Sequence, residues 1–482
     1  MMILSTSISF EAFFRSNVAH ELTFYLAAVV LVVLTAESCI RLLKRDSFGI
    51  TVAVYVTVFA WYFVDPLINP ELYDYLPSSS LGQSYGQVVL FLIGFRVFAP
   101  SAIRWILRRR SSGVFDTRLT PEQILRGAVA LWLVLFIIGI ARMGGDVIGA
   151  VFPLDGRFGP TMWGRGATES GASGFLVAFA AYLFIAVTAL LGVLIFFQRS
   201  NAGRLLAGAV FAITLPYFFL EGARSHFLAA VVPFLLTYLF YGRHLLILKL
   251  AILVIAFFCL NEGFKFVKVF RLGGFREVLA TGNPYELLGD DGGQTDLNMT
   301  QELCSVNAYL ETGGTSVAYG ARYLNELLNF IPRSIWPSKP LIGIDYAKWR
   351  GFETEDSEEG ELGVNTTISS GMIGGGVLNF GQILGPVAAG MLMALWTGLL
   401  IRWWEQRKSL LRLVLFMLGA ALTFNLGRDI SMLVLWPVIF GYCFVRLTEI
   451  WATQRFRQLP QLAGGAPASA GPMQVVAGRL SQ

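Results

Sequence analysis

The chain has 482 residues, of which 55% are hydrophobic and only 14% charged, too few charges for a soluble domain, where about a quarter are usual. A mean hydropathy of +0.61 makes lipid its natural solvent. The net charge of +5 fits Lys and Arg gathered in cytoplasmic loops and leaves nucleic acid excluded as a partner.

In chain order, the first twenty residues lack the basic start of a signal peptide, so the chain is read whole. Apolar runs long enough to cross a bilayer, about 20 residues each, fall near 22–40, 48–68, 85–103, 124–143, 174–197, 205–220, 227–242, 245–262, 381–401, 410–426 and 430–447. The expected fold class is therefore an all-α polytopic membrane protein with about 11 transmembrane helices. Basic residues crowd every second connection: Arg41 with Lys44 and Arg45, Arg108 to Arg110, Arg199 with Arg204, Arg243 with Lys249, and Arg407 with Lys408. Loop 65–84 carries Asp65, Glu71 and Asp74 without Lys or Arg. The positive-inside rule then puts the N-terminus outside and the C-terminus in the cytoplasm. Arg96, inside the third run, is expected to snorkel towards Arg104.

These runs divide the chain into an N-terminal bundle of about eight spans (1–262), a large outer loop (263–380), C-terminal spans (381–447) and a cytoplasmic tail (448–482), disordered where Pro, Ala and Gly dominate. Stretches 299–312 and 319–330 read as short helices within the loop. Residues 366–402 are too long for one span, and two would put the basic turn 402–412 outside. One span from about 381 is preferred, preceded by the Gly-rich TTISSGMIGGGVLNFG (366–381) as a segment dipping into the outer face, where protein must cover its irregular backbone.

Ionisable groups at lipid depth are functional candidates. The turn EGARSH places Glu221, Arg224 and His226 within six positions; the plainer reading is a Glu221–Arg224 pair capping a hairpin. FIPRSIWPSKP (330–340) is held extended by its prolines and presents Arg333, Trp336 and Lys339; the plainer reading is an interfacial anchor. NLGRDIS (425–431) offers Arg428 and Asp429, which could simply pair. The acidic run from Glu353 to Glu361 reads as a solvated loop. Four scattered cysteines without a CxxC pair and only three histidines give no disulfide framework and no ligand set for a metal; no cofactor is expected. His244 and the cysteines read as structural.

The segment IPRSIWPSKP (331–340), with NFGQILGPVAAG (379–390), the GARS turn (222–225) and an Arg-Asp pair before the last span, resembles the Wzy-type oligosaccharide repeat-unit polymerases, or O-antigen polymerases. The resemblance covers the C-terminal half. It implies a GT-C-like fold, a bacterial inner-membrane location, and a polyprenyl-pyrophosphate-linked oligosaccharide as substrate, with membrane lipid and a chain-length regulator as partners. It further implies polymerisation of repeat units into a surface polysaccharide (O-antigen, capsule or exopolysaccharide) at the outer leaflet without a nucleotide sugar. Arg224, Arg333, Lys339 and Arg428 would face the leaving pyrophosphate, where preorganised cations are most effective. Glu221 or His226 would serve as general base, with Glu311 and Asp345 behind them. Trp336 and Asp429 complete the substrate contacts. The alternatives are a flippase for lipid-linked oligosaccharide and an O-antigen ligase.

Overall fold

The computed structural model describes residues 10–108 except Arg45, 119–155, 161–164, 172–245, 297–328, 344–350 and 369–462, with Trp336 and scattered positions between 247 and 280. Every regular element among these residues is helical. The principal helices are α1 (Leu22–Leu43), α2 (Ser47–Tyr62), α3 (Ser78–Arg108), α4 (Pro121–Arg142), α5 (Ala172–Phe197), α6 (Asn201–Leu220) and α7 (Arg224–Tyr241). After them come α8 (Met299–Glu311), α9 (Ala321–Leu327), α10 (Ile344–Trp349), α11 (Met372–Glu405), α12 (Leu410–Arg428) and α13 (Met432–Leu462).

Nine of these (α1, α3 to α7, and α11 to α13) are long and apolar enough to cross a membrane, which makes the chain a polytopic helical membrane protein. Shorter apolar helices, Ser47–Tyr62 and Ile247–Ala256, occupy the other two expected positions. Helix α2 covers the same depth as its neighbours. Tyr55 lies 5.4 Å from Phe95, while Phe63, just past its end, lies 5.8 Å from Tyr85 and 5.6 Å from Phe24. It therefore runs antiparallel to α1 and α3. At 1.5 Å per residue its length approaches that of the hydrocarbon layer.

Exposure separates lipid-facing from central helices. Helix α1 leaves Leu26, Val29, Val32, Val33 and Ile40 exposed, an apolar outer face suited to acyl chains. Helix α12 is buried on nearly every side from Leu411 to Gly427. It is tied to α2 by Thr57 Oγ1 to the Thr423 carbonyl (3.4 Å) and Trp61 Nε1 to the Phe424 carbonyl (2.6 Å), and to α11 by Trp396 Nε1 to Thr423 Oγ1 (2.9 Å). With little water to compete, such bonds replace the hydrophobic effect as the selector of helix partners.

Helix α11 is two helices folded back on each other. Gly381 breaks it with φ +80° and ψ 178°. The backbone of Gly376 touches that of Gly385, whereas nine positions of unbroken helix would hold them about 13.5 Å apart. The arm 372–380 thus doubles back along the start of the span 382–405. The arm falls within the Gly-rich segment 366–381, whose backbone, expected to be irregular, is helical from Met372. Close approach of α3 explains further glycines: a Cβ at Gly390 would meet the Phe91 carbonyl and the Phe95 nitrogen at 2.7 Å.

The large segment also plugs the bundle. Nine of thirteen residues of α8 are buried, against α3, α2 and the folded-back arm. Its polar groups are matched: Asn307 and Gln87 exchange bonds of 2.8 and 3.0 Å, Ser84 meets Asn307 and Cys304 at 3.2 Å, and Thr300 Oγ1 reaches the Tyr62 carbonyl at 2.7 Å. Burial pushes the Cys304 thiol up to about 12, so this cysteine is inert. Glu302, also buried, accepts from Tyr346 (2.7 Å) and Arg350 (2.9 Å), fastening α10 onto α8.

The opposite end of the bundle carries Glu37 and Arg96, joined at 3.0 Å, and Arg412, whose Nε is 2.6 Å from Glu449. Arg96 turns towards the end where Arg104 lies, its guanidinium 5.6 Å from the Phe48 ring at the start of α2, and there the Glu37 carboxylate on α1 holds both it and Arg41. Helix α13 continues to Leu462, past the boundary at 447; residues 463–482 of the expected tail lie outside the described residues.

Candidate functional site

Two turns that the sequence singled out occur at one end of the bundle. Phe240, near the end of α7, lies 5.5 Å from Trp404, near the end of α11. The start of α7 is therefore at the same end as the Gly381 fold. Helix α12 runs from Ser409, beside Trp404 in the chain, back to that end and closes with Arg428 and Asp429.

Glu221 caps α6, and Gly222, at φ +76°, reverses the chain in a conformation that only glycine adopts readily. The reversal brings His226 back over the cap. Its Nδ1 lies 3.3 Å from Glu221 Oε2, with the two side chains 28% and 16% exposed. The Tyr182 ring stands edge-on to the imidazole at 6.2 Å. Arg224 is half-buried on the first turn of α7. Tyr217, one turn before Glu221, is buried. Close by, Arg142 at the end of α4 donates to the Met162 and Gly164 carbonyls. An imidazole held by a carboxylate can pass a proton, and the half-buried setting keeps it reachable.

The second constellation surrounds the inner arm of the folded helix. The Tyr323 hydroxyl and Asp429 Oδ1 flank one point, 3.7 and 3.9 Å from where a Cβ on Gly375 would sit. Tyr62, at the end of α2, reaches the same arm, its hydroxyl accepting the Ile373 N–H at 3.0 Å. Asn379 anchors α9 here, its Oδ1 accepting the Tyr323 N–H at 3.4 Å while its amide donates to the Gly375 carbonyl at 2.8 Å. Burial among these helices pushes the Asp429 carboxyl up to about 7, against the adjacent Arg428 guanidinium, which pulls it down. Asp429 and Gly375 retain partial exposure. A carboxylate that titrates near neutrality beside a phenol is equipped for acid–base work.

Four expected residues, Glu221, Arg224, His226 and Asp429, are thus on the two turns of this end. Arg428 is exposed there, and Trp336 is half-buried with its surroundings undescribed. Arg333 and Lys339, like the run Glu353 to Glu361, lie outside the described residues. The Asp345 side chain does too. Sequence reasoning missed Tyr62, Tyr323 and Asn379. Each looks like an ordinary helix residue: packing of α2 on α12 carries Tyr62 to this end, and the arm folded back at Gly381 carries Asn379, which holds Tyr323 there. Among the described residues, no group of three His, Cys, Asp or Glu side chains converges as metal ligands.

Fold and site together define a polytopic helical membrane protein with ionisable side chains gathered beside a glycine arm at one end of its bundle. Compared with protein-family models, curated proteins and solved structures, the chain matches none.

Proposed function

We propose that the protein is a membrane glycosyltransferase that joins polyprenyl-pyrophosphate-linked oligosaccharide units into a surface polysaccharide at the outer face of the bacterial inner membrane. The observation that carries the reading is Asp429. It is a carboxyl pushed up to about 7, set against the backbone of a glycine arm, at the end of an apolar bundle where a lipid-anchored substrate can present its head. The resemblance of IPRSIWPSKP and the flanking motifs to repeat-unit polymerases supports the same class. The charge asymmetry of the connections supports an outside position for this end, with the C-terminus in the cytoplasm.

In the proposed step, Asp429 takes the proton from the hydroxyl of the acceptor unit. That oxygen attacks the anomeric carbon of the donor, and the bond from that carbon to the pyrophosphate oxygen breaks with its electron pair. Asp429, assigned from sequence as a substrate contact, is thereby the base; Glu221 and His226 form a second proton-handling pair. Arg224, Arg333, Lys339 and Arg428 supply positive charge to the departing polyprenyl pyrophosphate. The test is purified protein in detergent with lipid-linked oligosaccharide as sole substrate. A ladder of longer chains and released polyprenyl pyrophosphate are expected. Binding without extension would turn the reading to a flippase. Transfer only to a different acceptor would turn it to a ligase.

A further inference from the structure

A cleft of about 360 Å³ opens at the Gly381 fold, between the end of α8 and the loop before α9. That volume falls within the range of about 300–1,000 Å³ usual for small-molecule sites. Glu311, Thr315, Ser316 and Gln382 line it, with the Gly381 backbone and Val317. Gln382 Nε2 donates to Glu311 Oε1 at 3.2 Å, so an amide and a carboxylate are fixed side by side. Arg322 donates to the Thr315 hydroxyl at 3.3 Å.

Tyr319, two residues beyond the cleft-lining Val317, has φ +48° and is the one non-glycine residue with positive φ among those described. It is also 87% exposed. A bulky residue held in the left-handed region is strained, and such strain persists where the surroundings fix it. Here the turn is fixed: Ala318 N–H donates to the Leu378 carbonyl at 3.0 Å, and Ala321 N–H to the Ala318 carbonyl at 2.9 Å. An exposed aromatic residue is thus fixed two positions along the chain from the lining of a polar cleft. No burial of the ring offsets its strain.

We infer that this cleft is a saccharide subsite, with Tyr319 as the plate for the apolar face of a sugar ring and the Glu311–Gln382 pair as the contact for adjacent hydroxyls. Paired planar groups match neighbouring hydroxyls, since the amide donates and accepts while the carboxylate accepts. The carboxylate in the wall disfavours an anionic ligand, which selects the neutral glycan over the pyrophosphate. Gly375, beside Asp429, and Gly381, beside the cleft, are six residues apart on one helical arm, about 9 Å, a gap that a short oligosaccharide bridges. The inference rests on the proposed polymerase reading and names its acceptor subsite.

The test is saturation-transfer NMR on the purified full-length protein with the methyl glycosides of glucose, galactose, mannose, rhamnose and N-acetylglucosamine. Saturable binding of at least one is expected. Tyr319→Gly and Gln382→Ala should each weaken it roughly tenfold, the loss of one good contact. Tyr319→Phe should retain it. Tyr319→Gly suits the left-handed backbone, so lost binding there reports the ring and not misfolding. Absence of saturable binding by every glycoside, or undiminished binding in both variants, overturns the subsite. Glycoside binding without chain extension leaves the subsite standing and sinks the polymerase. Chain extension whose acceptor KM is unmoved by Tyr319→Gly and Gln382→Ala sinks the subsite alone.

Discussion

Gly376 and Gly385 lie backbone against backbone, although nine positions separate them in sequence. The contact closes the fold at Gly381, which sets the depth of the arm beside Asp429 and the position of the cleft above it. A side chain at either glycine would enter the other's backbone. Gly376→Ala and Gly385→Ala are each expected to destabilise the protein by about 1–3 kcal/mol, as overpacking does. Gly375→Ala, where a Cβ meets nothing nearer than 3.7 Å, should stay within about 0.5 kcal/mol. Thermal unfolding in detergent measures all three. Equal midpoints for Gly376→Ala and Gly375→Ala would refute the fold-back.

Asp429→Asn removes the proposed base while keeping the shape of the side chain. Chain extension should fall by roughly 10²–10⁴-fold, with substrate binding retained. In the parent protein, the rate should rise with pH through about 7 as the carboxyl ionises and then level off. A rate profile flat from pH 5 to 9 would exclude Asp429 as the titrating group.

The same carboxyl makes a stability prediction of definite sign. Its folded value is raised from 3.8 to about 7, so the fold prefers the neutral acid. Asp429 therefore costs nothing below about pH 4, costs increasingly as pH climbs towards 7, and adds no further cost above it. Plotting the unfolding midpoint of Asp429→Asn minus that of the parent should give a difference that grows from pH 4 to 7. A constant difference would show that Asp429 is not desolvated.

Arg224→Ala and Arg333→Ala should each lower chain extension roughly a hundredfold, a loss of about 3 kcal/mol of transition-state stabilisation. Lys should rescue poorly at both, because its point charge lacks the fork of a guanidinium. Polymer length on gels, with membrane levels of each variant as control, is the readout. Normal polymer in both Ala variants removes these residues from the site.

A topology reporter fused after Arg110 or Arg407 should read cytoplasmic, and one within 285–320 external. The alternation of basic loops requires this. An external signal after Arg407 would contradict the single span 382–405.

Much of the architecture was readable before any coordinates. Apolar runs marked the spans because lipid imposes both length and hydropathy on each segment separately. The GMIGGGVLNFG stretch marked a break before residue 381, since glycine density and span length could not both fit one straight helix. The EGARSH and NLGRDIS turns were legible as concentrations of charge. The partner of Arg96 was not legible, because Glu37 lies on a helix distant in sequence.

What the sequence determined by itself is thus what is local: long apolar helices, the charged turns and the glycine-rich stretch. Tertiary structure decided which of those features meet. Burial of α8 by matched polar pairs such as Gln87 with Asn307 depends on residues 220 positions apart. Tyr62 reaches the end of α12 because α2 packs on α12, and Tyr323 is held there by Asn379 on the arm that reverses at Gly381. Hydropathy and charge act residue by residue along the chain and so leave their mark in sequence. Packing of one helix against another depends on shape and hydrogen bonding between distant segments, and no single stretch records it.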